Sequence, residues 1–114
     1  MKQFSLLVRV PNSYNSDQAE EVFPEWEKLL DEWQKSGIYV LSFAFPGESY
    51  TVSGATKTVK KETVLSDNLK VVSQVIIHAK DMPHTLELAK KIPVLPHGGS
   101  VEVREIPKPI VLTK

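Results

Sequence analysis

Apolar residues alternate with polar ones along three stretches of the chain, which is the pattern of a β-strand with one covered face, and a fourth stretch, residues 38–45, is rich in β-branched and aromatic residues. These stretches predict strands over residues 3–10, 38–45, 71–79 and 101–106. A fifth stretch, residues 55–65, alternates less regularly and is rich in lysine, so we expect a strand in an exposed or edge position there. Residues 48–54, which lie just before it, are predicted to form a polar loop.

Asp17–Lys35 carries apolar residues at three- and four-residue steps, the spacing of an amphipathic helix. Ser16 or Asp17 can cap its start, and Gly37 can close its end. Pro24 lies inside the pattern, so we expect a helix that is either kinked at this residue or restarted with Pro24 in its first turn.

A shorter helix is predicted over Met82–Ile92, with Asp81 as its N-cap. It ends before Pro93, since the residue that precedes a proline disfavours helical geometry. Gly98 and Gly99 then permit a turn that residues with a Cβ atom resist, and the last predicted strand follows directly.

The predicted order of elements is strand, helix, strand, strand, strand, helix, strand. Without the lysine-rich third strand, this is the split β-α-β arrangement of ferredoxin-like folds, βαββαβ. We therefore predict an α+β fold in which both helices cover one face of an antiparallel sheet. The length of 114 residues indicates one domain, over residues 1–109, and residues 110–114 are predicted to form a C-terminal tail.

Strand parity assigns the side chains of the sheet's other face. If the more apolar set of each strand faces the helices, the opposite face carries Leu7, Arg9, Val72, Gln74, Ile76, His78, Glu102, Arg104 and Ile106. A half-apolar face of this kind needs cover, which the same face of a second copy would supply by a self-complementary contact. We therefore predict a homodimer with its sheets face to face, and note that a one-residue shift in register would reverse the assignment for that strand.

Composition narrows the class of protein. Hydrophobic residues make up 41% of the chain and charged residues 25%, as in ordinary globular proteins. The formal net charge is zero, so neither a nucleic acid nor a membrane surface is an expected partner. The absence of cysteine rules out disulfides and cysteine–zinc sites, and a signal-like segment is not evident, so a cytoplasmic location is expected.

The charges are unevenly distributed. Residues 1–50 contain four Lys/Arg against eight Asp/Glu, whereas residues 51–114 contain ten against six. One interpretation is two solvated faces of opposite charge. The other is that the acidic first helix meets basic strands of a partner subunit.

The end of the chain resembles that of a known family. Pro93, Gly98-Gly99 and the sequence VEVREI over 101–106 are similar to the ending "P…GG-x-VEVRPI" of the YCII-related (DGPF-domain) family. The opening residues 1–9 resemble that family's first strand, and residues 76–89 resemble its "II-x-A-x-(S/D)…A-x-E-x-A" block. The resemblance covers nearly the whole chain.

This resemblance implies a dimeric α+β barrel, in agreement with the parity argument. It also raises the expectation of small-molecule chemistry, since a few members of the family are proposed to be enzymes that use a His–Asp pair. Three departures separate the chain from the family pattern. The Asp-Gly-Pro-Phe signature is absent from 61–64, where it would fall; no histidine precedes His78; and Glu105 stands where the family has proline.

Five residues of the face opposite the helices are candidates for binding a ligand: Arg9, Gln74, His78, Glu102 and Arg104. Arginines suit a carboxylate or phosphate, which they grip with two hydrogen bonds. The alternative role of the arginines and Glu102 is an intersubunit or cross-strand ion pair that sets register. His78 and Glu102 are also candidate catalytic groups, while a hydrogen-bonded strand histidine is the alternative for His78.

The three histidines are not at ligand spacing and no cysteine accompanies them, so we expect no metal. The chain has no phosphate-binding glycine loop and no Gly-x-Ser-x-Gly elbow, and no cofactor is expected. Three functional hypotheses remain: a YCII-like homodimer that binds a small, anionic organic molecule in its barrel; an acid–base isomerase, lyase or hydrolase of the same architecture; and a non-catalytic structural or interaction dimer.

Overall fold

The computed structural model describes residues 1–45 and 47–108. Its strands are β1 (Lys2–Pro11), β2 (Tyr39–Ala44), β3 (Thr51–Ser53), β4 (Thr58–Lys60), β5 (Leu69–Ala79) and β6 (Ser100–Ile106). Its helices are α1 (Ser16–Lys35), α2 (Met82–Ala89) and a short 3₁₀ helix (Leu95–His97). The predicted tail and the end of the predicted domain, residues 109–114, lie outside the described part of the chain.

Four strands form one antiparallel sheet in the order β2-β5-β1-β6. The two central strands, β1 and β5, are the longest pair. Both are rich in apolar residues, and the elements on each side of them remove this apolar surface from contact with water. With one helix between β1 and β2 and another between β5 and β6, the arrangement is consistent with a ferredoxin-like class, as predicted.

The core lies between the sheet and the two helices. On β1 every second residue from Phe4 to Val10 is fully buried, and these side chains meet Val75, Ile77 and Ala79 of β5. Trp33 of α1 and Leu88 of α2 join the same cluster. Both helices therefore cover one sheet face, and among residues 1–45 and 47–108 no helix lies on the other face.

The helix caps differ in part from the sequence-based expectation. Asn15, rather than Ser16 or Asp17, caps α1. Its side chain accepts a hydrogen bond from the backbone N–H of Gln18, 3.0 Å away, and the Gln18 side chain accepts one from the backbone N–H of Asn15. This reciprocal pair is a capping box. Helix α1 runs unbroken through Pro24.

Helix α2 begins as predicted but ends earlier. Asp81 caps it by accepting a hydrogen bond from the backbone N–H of His84 at 2.9 Å. The helix ends at Ala89 rather than Ile92. Ile92 and Val94 are instead buried beneath the sheet, where they belong to the core cluster.

The region between β2 and β5 corrects two sequence-based assignments. The strand expected over residues 55–65 is confined to Thr58–Lys60, and its partner, Thr51–Ser53, lies within the segment predicted to be a loop. The two form a separate two-stranded sheet. A turn at Gly54–Lys57, with positive φ at both of these residues, joins them and accounts for the break in alternation.

Candidate ligand site on the open sheet face

The sheet face without helices, called here the open face, carries the residues assigned to it by parity. The register of β1 with its neighbours places Leu7 between Gln74 and Glu102, and Ser5 between Ile76 and Arg104. All four β1 residues of this face, from Gln3 to Arg9, are half-buried rather than exposed. The five candidate binding residues thus share one surface.

One residue of the predicted open face is misplaced. Val8 pairs with Ser73 and Arg9 pairs with Val71, so Val72 forms a β-bulge without a partner on β1. Val72 packs against the core, and Val71 takes its place beside Arg9. Because a bulge adds one residue to a strand, it reverses parity beyond that point, and alternation alone does not reveal it.

Arg9, Glu102 and Arg104 form a charged network across β1 and β6. An N–H at Arg9 Nη1 donates to Glu102 Oε2 over 3.3 Å, and Nε of Arg104 donates to the other carboxylate oxygen. The Arg9 side chain is only 19% exposed, whereas that of Arg104 is 76% exposed. Glu102 is therefore held on both oxygens, by one sheltered and one accessible guanidinium.

The network also sets the charge state of its carboxylate. The hydrogen bond from Arg104, aided by the charges of Arg104 and Arg9, holds the pKa of Glu102 below its ordinary value despite some opposing desolvation. Glu102 is thus ionised near neutral pH, and two guanidinium groups against one carboxylate leave the network with one net positive charge. An anion is the complementary ligand.

Gln74 and Ser5 form a hydrogen bond on the open face, in which an N–H at Gln74 Nε2 donates to Ser5 Oγ over 2.8 Å. The Gln74 amide retains a second N–H and a carbonyl oxygen that can serve a ligand. Gln74 pairs with Leu7, which pairs with Glu102, so Gln74 lies one strand from Arg9 and two strands from Glu102. It is a neighbour of that site rather than a member of its hydrogen-bonded group.

His78 lies at the other end of the open face. Its partner on β1 is Gln3, whereas the partner of Glu102 is Leu7, four residues further along the strand. At about 3.3 Å of rise per residue, this offset is ~13 Å, so His78 and Glu102 do not act on the same atom. His78 Nδ1 is buried and has no hydrogen-bond partner among the described residues.

An apolar patch on β2 was not predicted from the sequence. Leu41 and Phe43 lie opposite Ile76 and Gln74 of β5, and so share the open face. Phe45 makes an edge-to-face contact with Phe43, with ring centroids 5.4 Å apart. These three side chains, called here the β2 patch, are each more than 40% exposed. Their two-residue spacing was a visible signal, since it continues an alternating strand pattern.

The described residues contain no group of three or more His, Asp or Glu side chains placed to hold a metal ion. Among the same residues, each helix is too short or too polar to cross a bilayer. No protein-family model matches the chain, and no curated protein matches it.

Proposed function

We propose that this protein is a homodimer that binds a small organic anion between two sheets packed face to face. The single observation that carries the proposal is the Arg9–Glu102–Arg104 network, which is positively charged and lies on a half-apolar sheet face. We also propose that the chain is YCII-like; what supports this is the resemblance in sequence, which implies a dimeric α+β barrel of the kind that two open faces would form.

The apolar content of the open face supports the dimer. The β2 patch and Ile76 lie beside half-buried Leu7, so one apolar surface crosses three strands. Monomeric proteins rarely leave a continuous apolar patch of this kind in water. A two-fold contact between identical faces would cover it in both copies at once.

The charge and geometry of the network support an anionic ligand. Arg9 spends one N–H on Glu102 among the described residues, and a guanidinium has five. Burial between two sheets would remove competing water and strengthen the remaining hydrogen bonds to a carboxylate or phosphate. A two-fold axis would bring a second network close by, which favours a ligand of small size.

An acid–base enzyme is the second candidate, favoured by the unpartnered Nδ1 of His78. A buried polar atom without a partner calls for a functional explanation, and a substrate group that forms a hydrogen bond with Nδ1 would supply one. Glu102 is the weaker candidate, since its two arginine partners stabilise the carboxylate and make it a poor base. His78 and Glu102 would work separately, because their partners on β1 are four residues apart.

A structural dimer is the third candidate. The bonds from both arginines to Glu102 are what a register-setting ion-pair network would also show. In that case the arginines would hold the two sheets in place without a ligand.

The first test measures thermal stabilisation by a panel of small carboxylates and phosphates, alongside the mass in solution by sedimentation. Wild-type protein should sediment as a dimer and gain stability with at least one class of anion. Arg9→Ala and Arg104→Ala should each weaken that effect by roughly 10- to 100-fold in ligand concentration, the value of a charged hydrogen bond. Dimer mass should stay unchanged.

Lys2→Ala is the matched control. Lys2 and Glu105 form another β1–β6 ion pair, 3.6 Å long, but their positions lie on the opposite side of the sheet. This variant should bind anions like the wild type. A monomeric wild type would refute the dimer, and arginine variants that dissociate it would favour the structural role. Turnover abolished by His78→Ala in a folded protein would favour the enzyme.

A further inference from the structure

The β3–β4 hairpin exposes apolar side chains that its own sheet leaves uncovered. Val52 and Val59 are directly paired, and they are 64% and 62% exposed. The hairpin's other face carries the pairs Thr51–Lys60 and Ser53–Thr58. A two-stranded sheet is marginally stable by itself in water, so this hairpin is incomplete without a covering surface.

Strand β2 forms an edge of the main sheet, and beyond the bulge between Tyr39 and Leu41 it has none of the charged residues that protect edge strands. The sequence YVLSFA of Tyr39–Ala44 contains no charge and no proline. The opposite edge, β6, carries Glu102, Arg104 and Glu105 and is followed by Pro107. Uncharged edges of this kind accept another strand, whereas charge and proline prevent it.

The two sides of the β2 edge differ in chemistry. On the open face lies the apolar β2 patch. On the helix side, Tyr39 and α1 border a groove of about 590 Å³ lined by Glu27, Lys28, Leu30, Asp31 and Gln34. Helix α1 as a whole carries seven Asp/Glu against two Lys, and at the groove Asp31 is paired with Lys35 at 2.9 Å, so Glu27 is the acid there that a partner's lysine would meet.

The hairpin matches both sides of this edge. Residues 51–60 contain two lysines and no acid, and neither Lys57 nor Lys60 has an ion pair among the described residues. If the Lys60 face turns toward α1, the Val52–Val59 face turns toward the β2 patch, because side chains alternate across a strand. A strand of the hairpin can then continue the sheet by hydrogen bonds to β2.

We propose that the β3–β4 hairpin of one copy docks along the β2 edge of a second copy, with Lys60 facing Glu27 and with Val52 and Val59 lying beside the β2 patch in the extended sheet. In this contact the basic hairpin of one copy lies against the acidic helix α1 of the other. The opposite charges of the two halves of the chain therefore attract each other. The contact extends the sheet at its edge and so does not depend on the face-to-face dimer of the proposed function.

Cysteine cross-linking tests this contact, since the natural chain has no cysteine. Lys60→Cys and Glu27→Cys variants, one of them tagged to change its mass, are mixed and treated with a short bis-maleimide. A cross-linked species of mixed mass should form well above background. Lys60→Cys mixed with Lys90→Cys is the control, because Lys90 is an exposed lysine just after α2.

A yield no higher than the control's would overturn the proposal. Efficient cross-linking of an Ala44→Cys variant to itself, without the Lys60–Glu27 product, would also overturn it, because β2 would then pair with another β2. An Ile76→Glu variant separates this contact from the proposed function. It should break face-to-face dimers and leave the Lys60–Glu27 cross-link intact.

Charge exchange provides a second measurement. Lys60→Glu and Glu27→Lys should each weaken the edge association about fivefold at low salt, as expected for one exposed ion pair, and high salt should reduce the difference. The double variant should restore the wild-type association. Single variants without effect, or a double variant no better than the singles, would contradict the assigned pairing.

Discussion

The most specific prediction about stability concerns Gly99, which follows the 3₁₀ helix and leads into β6. A Cβ atom at this position would lie 2.7 Å from Val94 Cγ2, 2.8 Å from the Val94 carbonyl oxygen and 2.9 Å from the Arg9 carbonyl oxygen. Two of these three contacts are with backbone, which cannot rotate away. Gly99→Ala therefore requires the turn to move away from β1.

The cost can be estimated from the packing. Overpacking of a closed site costs about 1–3 kcal/mol, and the backbone contacts place Gly99→Ala in the upper half of that range. For 114 residues, an unfolding entropy of ~2.1 cal/mol/K per residue makes 1 kcal/mol equal to a shift of about 4 °C. We expect the melting temperature to fall by roughly 8–12 °C.

Alanine variants of two other glycines serve as controls, because they distinguish the effect of steric crowding on stability from the effect of backbone conformation. Gly37→Ala meets open space but has φ +73, so it should cost about 1 kcal/mol through the left-handed conformation alone. Gly47→Ala has neither obstacle and should be neutral or slightly stabilising. Urea and thermal unfolding followed by circular dichroism measure all three. Equal melting temperatures for Gly99→Ala and Gly47→Ala would show that the added Cβ atom at residue 99 is not crowded.

Three further predictions follow from the caps, the core and the charged network. Asn15→Ala should cost about 1 kcal/mol in urea unfolding by removing the α1 cap, while Asn12→Ala, also an exposed asparagine, should cost little. Leu6→Ala should cost about 2–5 kcal/mol, since Leu6 is fully buried, and a smaller loss would mean that the sheet collapses onto the helices. The pKa of Glu102 is depressed in the folded state, so its contribution is present above the ordinary pKa of 4.5 and is lost as pH falls through the lower folded value. The melting-temperature difference between wild type and Glu102→Gln should therefore shrink as the pH is lowered from neutral into acid, and a difference that stays constant over this range would contradict the assignment.

The sequence predicted the sheet and its two faces because both depend on simple periodicity. Alternation along β1 identified Phe4 and Leu6 as core and Arg9 as a residue of the open face. The sequence predicted which three residues share the charged part of this face, but not which of them form hydrogen bonds with one another. That Glu102 bridges both arginines depends on register between β1 and β6, which no local pattern encodes.

The errors have local physical causes. Asn15, Ser16 and Asp17 are all good N-caps, and only the reciprocal bond with Gln18 selects Asn15. The hairpin was missed because its strands have three residues each, too short to establish a period. The β2 patch was visible in sequence, but strand parity alone gave no measure of its exposure.

The bulge on β5 gives the β1–β5 ladder a point where the chain can lose one residue without a change in pairing. Val72 is the one residue between two correctly paired neighbours, Ser73 and Val71, so deleting it would leave every rung of the β1–β5 ladder with its present partner. Deletion of a residue elsewhere in the strand would move the side chains on one side of the deletion to the opposite face of the sheet. Homologues that are one residue shorter at this position should therefore conserve the charged face intact, with only a straighter strand beneath it.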